Sequence, residues 1–185
     1  MVRQALAAAA AVLFSFGAGA AEAVVLVVGS TLASSCSKAA FAGQSDVGAL
    51  EVCNRSLDEE ALVGHDRAAT HINRGVVLMR RSRLDAAMRD FQQAVQIEPG
   101  LGEGYANRGS VHVAEGRFQE AVLDFDRALG LGLKQPERTY FNRGVAREWL
   151  DDAKGAYLDY RKAAQLNPAW PDPQEQMVRF TIVRR

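Results

Sequence analysis

The pattern of apolar and polar positions divides the chain into an unusual start, two short helical stretches and a long regular region. Met1-Val2-Arg3-Gln4 is a short basic segment, and Ala5 to Phe16 is an apolar run interrupted only by Ser15. Ala18-Gly19-Ala20 and Ala21-Glu22-Ala23 both have the small-x-small form that precedes signal-peptidase cleavage, so residues 1 to about 23 read as a secretory signal peptide. The competing reading is an uncleaved anchor reaching Val28, long enough to span a bilayer; the charge of Glu22 argues against it. Ala23 to Val28 is short and largely β-branched, which predicts an extended arm rather than a helix. Ser34 to Ala42 predicts a helix, Gly43-Gln44-Ser45-Asp46 a break with N-cap candidates, and Val47 to Leu57 a second helix.

From Asp66 onward the chain predicts six longer helices, about Asp66 to Arg80, Leu84 to Ile97, Gly102 to Glu115, Phe118 to Leu129, Glu137 to Leu150 and Ala153 to Leu166. Pro99-Gly100, Gly116 and Gly130 to Leu133 punctuate them, and Pro136 takes a favoured first-turn position before the fifth. Trp170-Pro171-Asp172-Pro173 reads as a rigid bend, Pro173 to Arg179 as a short helix, and Phe180 to Val183 as β-branched again, with pairing to the Val24 to Val28 arm of another copy left open.

Those six helices carry an internal repeat. Asn73-Arg74-Gly75, Asn107-Arg108-Gly109 and Asn142-Arg143-Gly144 recur at spacings of 34 and 35 residues. Behind each glycine follow a small residue (Ala87, Ala121, Ala156), an aromatic (Phe91, Phe125, Tyr160) and another alanine (Ala94, Ala128, Ala163), always in register. Pro99 and Pro168 close the first and third copies, with Leu133 at that place in the second. Such a period means one supersecondary unit stacked on itself.

The pattern resembles the tetratricopeptide repeat family over roughly residues 66 to 168. The resemblance implies an all-α solenoid of three helix-turn-helix repeats (about 68–101, 102–135 and 137–170), in which a helix A glycine and a helix B alanine are small where two backbones approach. Residues 24–65 are then an arm and a degenerate helical pair, and 169–185 a capping helix and tail that cover the last apolar face. The sequence departs from the family pattern in His71 and in the arginines before the glycines. Each repeat also has an aspartate before its aromatic, Asp90, Asp124 and Asp159, which predicts an arginine–aspartate ladder of charge-assisted hydrogen bonds. The rival reading has the arginines facing a partner's carboxylates.

Cys36 and Cys53 are the only cysteines, and an even count in an exported chain favours a disulfide. Under the repeat alignment they face each other across the degenerate hairpin, where a bridge is worth about 3 kcal/mol in the chain-entropy model. Lipid attachment at Cys36, which has Ala33 three places before it, and two free thiols are the alternatives.

Lys and Arg total 22 and Asp and Glu 22, interspersed, so no electrostatic footprint for nucleic acid or a polybasic membrane surface is present. None of His65, His71 and His112 has another at helical ligand spacing, and no phosphate loop or nucleophile elbow occurs. No enzyme, metal or cofactor is therefore expected, and His71 and His112 read as packing positions.

Binding is the more promising class. In the resembled family helix A residues line a concave groove that holds a peptide or helix of a protein partner. Carried over, the first unit contributes Ile72, Asn73, Val76, Met79 and Arg80, and the second Glu103, Ala106, Asn107, Ser110 and Val113. The third contributes Arg138, Phe141, Asn142, Val145, Glu148 and Trp149, with Phe141 and Trp149 as candidate anchors. A side-chain amide both donates and accepts, so the three asparagines can pair with a peptide backbone whatever its sequence, or equally with a neighbouring helix end. Ile72 and Val76 stand where the chaperone-binding members carry a lysine and an asparagine, so that specific carboxylate clamp is not expected. The expectation is an exported scaffold of the bacterial periplasm with no stable membrane insertion after signal cleavage; the alternatives are a membrane-tethered envelope assembly factor and, behind it, a small enzyme whose site the sequence hides.

Overall fold

The computed structural model describes residues 2–4, 23–29 and 31–182. Most of the expected signal peptide therefore lies outside the described residues. Among the described residues, helices α1 (Leu32–Phe41) and α2 (Val47–Glu59) form the first pair. Three longer pairs follow: α3 (Gly64–Arg80) with α4 (Leu84–Ile97), α5 (Gly102–Ala114) with α6 (Phe118–Leu131), and α7 (Glu137–Trp149) with α8 (Ala153–Leu166). Helix α9 (Asp172–Met177) closes the stack, two residues shorter at its end than the sequence predicts, while α6 runs on through Gly130. Each helix packs chiefly on its hairpin partner and then on the helix of the next unit, the nearest-neighbour pattern of a solenoid.

Local chemistry sets the helix limits. Thr31 accepts a hydrogen bond from the Ser34 N–H and Asp46 one from the Ala49 N–H, each satisfying a donor left free in a first turn. The Glu60 carboxylate reaches back to the N–H groups of Leu32 and Ala33, both at 2.8 Å, so negative charge from the end of α2 caps the start of α1. The turn inside each repeat needs one left-handed residue at the same register position. Gly116 supplies it at φ 72°, whereas Ser82 and Asp151 adopt it at 57° and 60°.

The repeat glycines have a different neighbour from the one expected. A Cβ on Gly75 would lie 2.5 Å from Phe91 Cε1, on Gly109 2.7 Å from Phe125 Cε1, and on Gly144 2.8 Å from Tyr160 Cε1. The glycine is thus small chiefly because the aromatic ring of its own repeat lies against helix A. At Gly144 the helix B backbone, through the Ala156 carbonyl at 3.3 Å, also comes close.

At the far end, β2 (Phe180–Ile182) pairs antiparallel with β1 (Val2–Gln4) of the same chain, not with the Val24 to Val28 arm. Phe180 is buried against the rings of Tyr157 and Tyr160, both 6.0 Å away, so the terminal strand shares the capping role with α9.

Candidate functional site

The concave face is built by one position per repeat. Asn73 on α3 and Asn107 on α5 are both fully buried, and a buried amide requires partners for its donor and its acceptor. Those partners come from the arm. Asn73 Oδ1 accepts from the Val25 N–H at 3.0 Å while its Nδ2 donates to the Val25 carbonyl at 2.7 Å. Asn107 repeats the arrangement with Ala23, at 2.9 and 2.8 Å. One residue of the arm thus exchanges both of its backbone groups with one asparagine, and the next such residue lies two positions on. Ser37 on α1 extends the line, donating to the Val25 carbonyl at 3.0 Å and accepting from the Val27 N–H at 3.2 Å.

The two-residue step is the period of extended backbone, whose alternate side chains face alike. Val25 and Val27 are accordingly buried in the same cluster as Ile72, Val76 and Met79, whereas Leu26 is 62% and Val28 84% exposed. The arm runs from α5 past α3 to α1, opposite to the order of the repeats.

On the far side of helix A the arginine–aspartate pairs stand as forks within each repeat. Arg74, Arg108 and Arg143 each place Nε and Nη2 on the two carboxylate oxygens of Asp90, Asp124 and Asp159, at 2.6 to 2.9 Å. Two of these arginines also tie units together, Arg74 through Asn54 and Arg143 through Asp126. Each carboxylate receives one further group: His71 Nδ1 at 2.9 Å on Asp90, His112 Nε2 at 3.5 Å near Asp124, and Arg147 Nη1 at 2.9 Å on Asp159. Burial alone would push the Asp90 carboxyl up, but the bonds from Arg74 and His71 outweigh it and hold it below the usual carboxylate range. Burial, aided by Arg117 and opposed by Asp124, lowers His112.

The remaining expected groove residues divide between the groove and internal packing. Asn142 donates to Ser110 Oγ at 3.2 Å. Val113 is buried with Ala121, Phe125 and Ala146, and Val145 packs beside them. Phe141 lies 5.3 Å from the Tyr160 ring and 4.9 Å from Trp170, over which Arg138 also sits. Trp149 stacks on Phe118 at 5.2 Å and keeps 55% of its surface exposed. Cys36 and Cys53, both fully buried, are bonded to each other between α1 and α2.

A family model described as tetratricopeptide repeat matches residues 102–131, the span of α5 and α6. The chain carries a tetratricopeptide repeat in that span. Among curated proteins this repeat protein is 28% identical over 90 residues to "DnaJ homolog subfamily C member 7 homolog" of Dictyostelium discoideum, covering 49% of the chain and 16% of that protein. It therefore spans less than a fifth of that relative's length. Among solved structures it is similar to MamA, with a TM-score of 0.65 at 17% identity over 81% of this chain and 82% of that one. It is also similar to the first repeat domain of Spaghetti (RPAP3) bound to the HSP90 peptide SRMEEVD, with a TM-score of 0.59 at 21% identity over 64% of this chain and 94% of that one.

The repeat architecture was legible before the structure, but the arm's seat was not. Its signal was a six-residue, β-branched run with no strand partner, in a chain whose helix A faces repeat an amide. Among the described residues no helix is long and apolar enough to cross a membrane.

Proposed function

We propose that this protein is a non-enzymatic interaction module of the bacterial cell envelope that holds an extended segment of a partner protein in its concave groove. The observation that carries this reading is the paired hydrogen bonding of Asn73 and Asn107 to single residues of an extended strand. Those contacts use only backbone groups, so they are available to any extended chain of suitable side-chain size. Similarity to a repeat domain bound to a peptide supports the use of this face. The acidic character of that peptide does not transfer, because Ile72 and Val76 are apolar and buried here. Export to an oxidising compartment is supported by the signal-like start and by the buried Cys36–Cys53 bridge.

The test is site-specific photo-cross-linking in the native cell. One strain carries the probe at Glu103, on the groove side of α5, and a second at the exposed Arg161 of α8. The expected result is a discrete adduct from Glu103, its partner identified by mass spectrometry, and none from Arg161. Adducts from Arg161 alone would move the interface to the convex side and overturn the reading.

A further inference from the structure

We propose that the depression between α2, α3 and α4 is a binding site for a short aliphatic dicarboxylate, held by Arg83 and Arg89 beside Arg74. The depression has a volume of about 270 Å³, with Leu50, Leu78 and Ala86 as its apolar lining and Arg74, Arg83 and Arg89 as its cationic one. Neither the arm nor the repeat asparagines line it, so the site is separate from the groove. Asp90 is the one carboxylate in the lining, and both of its oxygens are already taken by Arg74 and His71. Three guanidinium groups thus stand against one carboxylate, an excess of two positive charges. Arg83 and Arg89 are exposed, and among the described residues neither forms a hydrogen bond or an ion pair.

The same places in the other repeats show what the first one leaves open. Arg143 also reaches the preceding helix B, where Asp126 Oδ1 accepts from its Nη1 at 2.6 Å and lies 3.9 Å from Arg147 Nη2. Arg74 makes that reach onto a neutral partner, Asn54 Oδ1 at 3.2 Å. The third unit therefore brings its own carboxylate to the junction, and the first does not. Asp58 on α2 acts on Arg74 through space, without a hydrogen bond, and is not part of the lining. Arg89 is particular to this unit as well, since its register equivalents are Leu123 and Leu158. The equivalent of Arg83 in the second unit, Arg117, is already paired with Glu115.

Two unpaired guanidinium forks call for two carboxylates, because each fork holds one carboxylate through two parallel hydrogen bonds. About 9 Å of helix rise separates Arg83 from Arg89, a span that their long side chains close onto two groups a few methylenes apart. The methylenes between them lie against Leu50, Leu78 and Ala86, which removes apolar surface from water. An apolar concave lining with a few convergent polar groups is the form of a small-molecule site.

The experiment is isothermal titration calorimetry of the full chain with glutarate, and with butyrate, inorganic phosphate and the peptide Gly-Glu-Glu-Gly as comparisons. Glutarate is expected to bind about tenfold more tightly than butyrate, which lacks the second carboxylate, a readout that needs no protein variant to fold. Arg89→Leu, which installs the residue found at this place in the other repeats, is expected to remove that difference with the urea midpoint unchanged. Arg89→Lys keeps the charge but not the fork and is expected to fall between the two. Arg117→Gln, at the equivalent of Arg83 in the second unit, is expected to leave glutarate affinity as it was. No binding of glutarate, or the same affinity for it in Arg89→Leu as in the parent, would overturn the site. Phosphate binding as tightly as glutarate would make the depression a general anion patch and overturn the dicarboxylate assignment. Tighter binding of the acidic peptide would give the depression to a partner's side chains and overturn it equally.

Discussion

Replacing Gly109 by alanine sets two opposed effects against each other, and the structure decides the sign. In an ordinary helix interior the change is favourable by about 1 kcal/mol, because alanine loses less backbone entropy on folding. Here the new Cβ would lie 2.7 Å from Phe125 Cε1, 2.9 Å from Cδ1 and 3.1 Å from Cζ. Phe125 is fully buried, so its ring has no free space into which to retreat. Overpacking of a filled core costs about 1–3 kcal/mol, and contact with three ring atoms places this case at the upper end. The net expectation is a loss of about 1–2 kcal/mol. In a Phe125→Leu background the ring edge is gone, and the same glycine-to-alanine change is expected to stabilise by up to about 1 kcal/mol. The coupling in the double-mutant cycle is then about 2–3 kcal/mol, measured by urea unfolding followed by far-ultraviolet circular dichroism. A stabilising Gly109→Ala in the parent chain, or the same effect in both backgrounds, would refute the assignment of the glycine to the ring.

Asp124→Ala removes both acceptors of the Arg108 fork and leaves a half-buried guanidinium unpaired; a loss of about 2–3 kcal/mol is expected, mostly restored by adding Arg108→Met, with urea midpoints as the check. Asp90 has a folded pKa below its unfolded value, so it contributes stability that is present above the unfolded pKa and lost as pH falls through the folded one. Acid unfolding between about pH 5 and pH 2 should accordingly be less steep in Asp90→Asn than in the parent. Ser82→Gly and Asp151→Gly relieve left-handed conformations at φ 57° and 60°, and each should raise stability by about 0.5–1 kcal/mol in thermal unfolding.

What the sequence made legible was local or periodic. The limits of α4 and α8 coincide with the predicted Leu84 to Ile97 and Ala153 to Leu166, because apolar spacing and turn residues act within a few positions. The forks were legible too, since each aspartate follows its arginine by the same 16 residues, a distance that returns the chain across one hairpin. The contact between glycine and aromatic was not, because spacing alone does not say which of two recurring helix B residues lies over the gap. The seat of the arm was out of reach for a different reason: Ala23 and Asn107 are 84 residues apart, and no periodicity connects them. Phe141 and Trp149 were legible as aromatic but not in their partners, since Trp170 and Phe118 belong to the following segment and the preceding repeat.

The arm also changes how the molecule must assemble in time. A solenoid of hairpins folds through contacts between near neighbours, which is a fast and divisible process. Residues 23–27, by contrast, emerge ahead of every helix they contact and meet α5 only after about ninety residues have followed, so the completion of their docking is a late, long-range closure. Once made, that closure links the first three hairpins across their grooves. Opening any one of them then exposes backbone groups in the others, which makes the amino-terminal half of the stack exchange its amide hydrogens as one cooperative block while the carboxy-terminal hairpin opens separately.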